Sequence, residues 1–337
     1  MRPSVVGSSG SLFAGPVMLS SAALRQARGP KEPVDPWRPV AVCDEEEVAA
    51  PGRGIVCRVV FLAGAECSLT CAMCDLWRQT ISGPTPAGAL PLQVESALAI
   101  PPAPGLGVPQ WIKLYNASNF SDPRAVPTAD LPRIATLVHG FERVIVETHP
   151  RLVNDSLALF AGAIGGRLEV GLGLETVDAR FLPWLNKQMT PDDFAAACDR
   201  LRAIGVDARA FVLLGLPGIC AEESVELAVD AARFAAQAGC RHVSLIPTRG
   251  GNGHVDSLAA TGRFTPVSAA AAEAALAGAM GSVVARCLVT LDPWGWDQMS
   301  GQCDDCRAPR RARIEGMNRA QEWLPPCPLQ CGCRHGV

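Results

Sequence analysis

The chain has 337 residues, a formal net charge of −3 and 14 cysteines. The length suits one sizeable core with small additions, and the weak charge excludes a globally basic nucleic-acid binder while leaving room for a local basic patch. No apolar run reaches the roughly 18 residues that a membrane helix needs, and residues 1–19 lack the compact apolar core of a secretion signal.

Residues 1–50 read as an irregular, partly flexible extension. Pro30, Pro33, Pro36 and Pro39 form a short run, a short helix is expected over 22–28, and Glu45, Glu46 and Glu47 read as a turn. From there an alternation begins. Strands are predicted at 55–62, 111–115, 143–147, 168–174, 208–214 and 242–246, with a last one at 283–290. Helices are predicted between them at 93–99, 131–139, 156–162, 191–204 and 222–238, followed by an Ala-rich helix at 268–280. Thr190 suits the N-cap of the 191–204 helix and Gly205 its stop. Strands separated by helical patterns are βα units, which build parallel sheets. Six or more in succession predict an α/β fold: a partial (βα)6 TIM-like barrel over 51–290, with a small cysteine-rich region at 291–337. No Gly-x-Gly-x-x-Gly follows the first strand, so a dinucleotide fold is poorly supported. In barrels the chemistry sits at the C-terminal ends of the strands.

The cysteines are not spread like a disulfide framework. Three lie at 67–74 and five at 303–333, and tight groups at unequal spacing read as metal sites. Reduced cysteines in turn imply a cytoplasmic protein. Cys67, Cys71 and Cys74 are spaced C-x3-C-x2-C in the loop after the first βα strand. Three thiolates bind three irons of a cubane [4Fe–4S] cluster and leave the fourth iron open. An open iron can take the amino and carboxylate groups of S-adenosylmethionine (SAM), and an electron passed to the sulfonium yields a 5′-deoxyadenosyl radical. The alternatives are a three-cysteine zinc site completed by another residue, or buried free thiols. Zinc prefers four ligands, often in C-x2-C pairs.

On this motif, residues 50–290 resemble the radical SAM superfamily, and the resemblance implies its barrel, cluster and cofactor. The residue before the last cysteine, commonly aromatic and near the adenine in that family, is Met73 here, and Met can still pack on a purine face. Asp75 and Trp77 follow, and Trp77 either covers the loop or fills core space. A Gly-rich acidic turn after the second βα strand holds the SAM amino group in the family; Ser118 and Asn119 stand at that position, where an ordinary capped turn is the alternative. Glu147 and His149 end the third strand and suit substrate or ribose contacts, and a buried Glu must be paired or active. Glu175 ends the fourth after Gly171 and Gly173, whose lack of a side chain would let a ligand approach; the resemblance implies a role for Glu175 near the SAM ribose or amine. Gly215 and Leu216 read as a backbone platform for adenine. Arg249 suits the SAM carboxylate or a substrate phosphate, or is simply a surface residue. Asn252 and His254 lie in a Gly-rich loop suited to covering the substrate, and Lys113 is expected to point into the barrel.

The tail carries Cys303, Cys306, Cys327, Cys331 and Cys333. Five clustered thiols exceed what core packing needs and predict a second metal site: structural zinc, or an auxiliary [4Fe–4S] cluster, the latter favoured because a radical enzyme is already loaded with clusters. An Arg-rich helix is expected between them, ending near Trp323. It is either a solvated face or an anion site for a nucleotide or RNA backbone.

Segments 111–123, 144–150, 168–176 and 210–217 resemble the archaeosine-biosynthesis branch, which is similar to the Elongator catalytic subunit and the methylthiotransferases. Its C-terminal C-x2-C and C-x-C elements match Cys303/Cys306 and Cys331/Cys333. That branch implies a tRNA-modifying radical lyase. The chain lacks the branch's basic Gly-rich insert before Cys67 and its separate tRNA-binding domain. Its Ala, Arg and Pro usage suits a high-GC bacterium, where archaeosine is not expected. The expected activity is therefore hydrogen abstraction from a nucleoside, nucleotide or modified base, with cleavage or sulfur insertion from an auxiliary cluster to follow. An external one-electron donor such as flavodoxin or ferredoxin is implied, tRNA stays open as a partner, and no membrane partner is expected. A non-catalytic iron–sulfur electron carrier is the other class, although simple carriers use four protein ligands. A polar SAM methyltransferase would make S-adenosylhomocysteine without iron.

Overall fold

The computed structural model describes residues 18–283, 286–326 and 331–333. Eight strands form one sheet in chain order: β1 (Ala41–Ala50), β2 (Arg53–Phe61), β3 (Trp111–Tyr115), β4 (Arg143–Thr148), β5 (Arg167–Glu175), β6 (Asp207–Leu214), β7 (His242–Pro247) and β8 (Leu288–Leu291). β2 to β8 are mutually parallel and β1 pairs antiparallel with β2. The sheet curls into a nearly closed barrel, the expected partial-barrel fold. Alternate residues explain the curl. Ile112, Leu114, Val144, Val146, Val170, Leu172, Ala210, Val212, Val243 and Leu245 face outward into the main apolar core under the helices. The helix Pro191–Ala203 starts at Thr190 in a capping box with Asp193, as its sequence suggested.

β1 is the main departure. Its acidic run reads as a turn, yet it is a strand that buries Glu47 in the barrel and leaves Glu45 half-exposed at the margin. Glu45 pairs with Lys113 at 2.5 Å, and Glu47 pairs with Lys113 and, at 3.3 Å, with Arg209. Arg209 also meets Glu169 at 2.6 Å, and Arg143 bridges Glu169 at 2.9 Å and Asp207 at 2.7 Å. The floor of the barrel is thus a buried ionic layer, with the guanidiniums of Arg143 and Arg241 stacked near the Trp111 ring. Buried charges persist only when paired, and each strand here supplies the partner of another.

No hydrogen-bonded pairing joins β8 to β1. The helix Asp304–Ala320 and the residue after it fill the seam. Gln321 pairs with both backbone groups of Val289, and Asn318 with both of Leu291, at 2.7–2.9 Å. These two side chains imitate a neighbouring strand and cap the β8 edge. Arg319 reaches Glu46 of β1 at 2.6 Å. The arginines of this helix are committed: Arg310 to Glu273, Arg313 to Glu273 and the Leu324 carbonyl, Arg311 to Glu315, and Arg307 to Asp304. Arg310 and Arg313 are buried and dock the helix, while Arg307, Arg311 and Arg319 pair at the half-exposed surface.

Candidate active site at the C-terminal ends of the strands

The cysteine loop leaves the end of β2 and is held from several sides. Gln93 pairs with both backbone groups of Ala63, and Thr85 accepts from the Ala65 N–H at 2.9 Å. Beyond β5, the Ala72 N–H donates to the Leu185 carbonyl at 3.0 Å, and Asn186 donates to the Thr70 carbonyl at 2.7 Å. From the N-terminal side, Arg28 and Lys31 both pair with Glu66 at 2.7 Å, and Arg28 lies 4.9 Å from the Trp77 ring centroid. Trp77 is buried. Within the segment read as a partly flexible extension, residues 18–31 thus run against the loop and carry the helix Ser21–Gln26. Cys67, Cys71 and Cys74 are free thiols, all partly buried. Burial pushes the Cys74 thiol up to about 11, so without a metal it stays protonated. A bound metal would deprotonate it.

Asn119 lies closest to this loop. Its Nδ2 donates to Cys67 Sγ at 3.1 Å while its Oδ1 accepts from the His149 N–H at 2.7 Å. A donor on a ligand sulfur orients and tunes a metal site. The other expected contacts divide. Ser118 Oγ is buried without a protein partner, as are Asn116 Nδ2, Thr248 Oγ1 and Asn252 Nδ2. Met73 joins an apolar cluster with Leu24, Leu213 and Leu216. Gly215, at φ +90°, is sealed by Val267, which a Cβ would meet at 2.5 Å. Its N–H donates to Ser224. Asp75 is exposed, and Arg249 is turned to Asp292 and the Trp294 carbonyl.

His149 has both ring nitrogens engaged. Nδ1 accepts from the Arg151 N–H at 3.2 Å, so Nε2 donates to the Lys187 carbonyl at 2.9 Å. Burial pushes the imidazole down to about 4, and it is neutral. Both ring nitrogens are used within the protein here, which ties the end of β4 to the Lys187 loop. Glu175, at φ +66°, sits at a bulge and is ion-paired with Lys187. A non-glycine residue in that region stores strain. Lys187, unremarked in the sequence, closes this pair from a loop between two left-handed residues, Asn186 and Gln188. Nothing in a lone Lys between helices signals that role. Gly171 and Gly173 do not admit a ligand: a Cβ would strike Phe211 at one and the Lys187–Glu175 pair at the other. Glu147 faces the lumen and keeps some solvent contact, and burial pushes its carboxyl up to about 7.

In the tail, the Sγ atoms of Cys303, Cys306, Cys331 and Cys333 lie within 4.8 Å of one another. The expected fifth ligand, Cys327, lies outside the described residues. Cys303 precedes the helix Asp304–Ala320, and its N–H donates to Cys306 Sγ at 3.2 Å. Backbone N–H groups of Cys306 and Asp305 help to hold the Cys303 thiol down at about 7.

No protein-family model and no curated protein matches the sequence. Among solved structures, the chain is similar to methylornithine synthase (PylB), with a TM-score of 0.53 and 13% identity over 81% of this chain and 72% of that one. It also aligns with Elp3 of Methanocaldococcus infernus (TM-score 0.44, 14% identity, 54% of this chain, 47% of that one). The radical S-adenosylmethionine methyltransferase TsrM of Kitasatospora setae aligns at TM-score 0.39 and 16% identity, over 55% of this chain and 35% of that one. The chain spans about half of Elp3 or less, and about a third of TsrM. What the likeness to methylornithine synthase establishes is the architecture: this chain has that enzyme's partial α/β barrel.

Proposed function

We propose that the protein is a radical SAM enzyme working at the mouth of the barrel, and the observation that carries this reading is the clamped C-x3-C-x2-C loop. Cys67, Cys71 and Cys74 would hold the cluster, and Asn119 would keep Cys67 in place. The unpartnered Nδ2 atoms of Asn116 and Asn252 and the hydroxyls of Ser118 and Thr248 would supply polar groups that a bound SAM needs, so the residues present fit it. When bound, the cluster and SAM supply a 5′-deoxyadenosyl radical that abstracts hydrogen from the substrate. The chain's own part is to fix the loop, to exclude water with the apolar cluster around Met73 and Leu213, and to orient the substrate from the strand ends. We further assign the substrate to nucleosides, nucleotides or related small molecules, and the electron to a flavodoxin- or ferredoxin-type donor.

The tail thiols favour a single ion over the auxiliary cluster anticipated from sequence. A tetrahedral zinc with Zn–S near 2.3 Å sets its sulfurs about 3.8 Å apart, and Cys303 Sγ to Cys306 Sγ is 3.7 Å. Thiolates on a cubane stand farther apart, because the cluster's own irons and sulfides lie between them. With one ion there, the tail offers no sulfide for insertion, which leaves cleavage or rearrangement as the favoured outcomes.

Anaerobically reconstituted protein with SAM and dithionite is expected to form 5′-deoxyadenosine, and Cys71→Ala to abolish it. S-adenosylhomocysteine as the product, or reduced protein that cleaves no SAM, would set the reading aside.

A further inference from the structure

Glu147 stands apart from every other lumen carboxylate. In the floor of the barrel four cations, Lys113, Arg143, Arg209 and Arg241, are shared among four carboxylates, Glu45, Glu47, Glu169 and Asp207. Above it Glu175 takes Lys187. His242 is pushed down to about 3 by burial and adds no charge. Each cation near Glu147 is thus already neutralised by another acid. Among the described residues no hydrogen bond or ion pair reaches its carboxylate. Its neighbour on β3 is Tyr115, whose register follows from Leu114 opposite Val146. A carboxylate mostly surrounded by protein, with limited solvent contact and no partner, is unfavourable when charged, and burial accordingly raises this one to about 7. Ionised, it leaves the lumen one negative charge in excess, at the strand-end level where the substrate would enter.

We infer that Glu147 is the anchor for a cationic nitrogen of the substrate, an ammonium, amidinium or guanidinium group carried into the barrel mouth. The inference rests on the mouth being the substrate site and deepens that reading by naming one group the substrate carries. A cation supplies the one partner the lumen lacks, whereas a phosphate set against Glu147 would be repelled, so a nucleotide would meet Glu147 with its cationic nitrogen and not with its phosphate. The phenol of Tyr115 stands beside it as a hydrogen-bonding flank. Lumen aromatics, Tyr115 and Phe211, suit the apolar arm that carries such a group.

Thermal unfolding of the holoenzyme at pH 8 tests this, with butylammonium, butylguanidinium, butanol and butyrate as probes at matched ionic strength. Either cation is expected to raise the wild-type midpoint by about 2 °C or more at saturating concentration. Butanol and butyrate should not. Glu147→Gln should lose the shift, and Glu147→Asp should keep part of it. Equal cation shifts in wild type and Glu147→Gln, or no cation shift in wild type, would overturn the assignment. The readout involves no SAM cleavage, so failure of the radical reading and failure of this anchor are seen separately.

Discussion

Asn119 ties the cysteine loop, the end of β3 and the end of β4 together through one side-chain amide. Asn119→Leu removes the donor on Cys67 Sγ and the acceptor for the His149 N–H while keeping the volume. Iron affinity is expected to fall by about 10- to 100-fold in chelator competition, with the far-ultraviolet circular dichroism unchanged. Glu147 carries a different signature. Its folded-state value is raised from 4.5 to about 7, so between those limits the folded state binds the extra proton. Its contribution to stability is full below the lower limit and is lost as the pH rises through about 7. The groups facing it are Lys113, Arg209, Lys187, Glu175 and Tyr115, and the cations among them are otherwise engaged. The loss is at most about 3 kcal/mol. Glu147→Gln should therefore raise the unfolding midpoint at pH 8 and leave it nearly unchanged at pH 4. A midpoint at pH 8 equal to or below wild type would show that the charge is compensated in the folded state. At this scale the sequence was informative about where side chains sit, since strand ends point to the mouth. It was silent about their partners. Lys187, Asn186 and the committed nitrogens of His149 depend on loop conformations that no local pattern encodes.

At the level of elements, β2 to β8 were legible because apolar outward faces alternate with glycine and proline punctuation. β1 was not, because Glu47 looks solvated until Lys113 and Arg209, far along the chain, are known to bury and pair it. The C-terminal helix was visible as a helix but not as an edge cap. Asn318→Ala and Gln321→Ala each leave backbone groups of β8 unpaired, and each should cost about 1–3 kcal/mol in denaturant unfolding. A loss below a few tenths would mean that water replaces these bonds. Cys303 is the N-cap of the same helix, so the tail cysteines and the β8 edge share one support. Cys306→Ser should lower the unfolding midpoint and release zinc without releasing iron.

For the whole molecule, two cysteine groups sit on one nearly closed barrel and are built in different ways. The loop group has three partly buried thiols near side-chain atoms that lack protein partners. The tail group gathers four sulfurs within 4.8 Å of one another at the start of a helix that closes the seam. Composition alone could separate the two groups, but only spacing in three dimensions separates their chemistry. Among the described residues no helix is long and apolar enough to cross a membrane. The most direct test is the iron and zinc content of anaerobically purified protein beside the variant with Cys67, Cys71 and Cys74 all changed to Ala. The expected result is iron and about one zinc per chain in the wild type, and zinc without iron in the variant. Iron retained in full by the variant, or a wild type that binds only zinc after iron–sulfur reconstitution, would contradict a radical cluster on this loop.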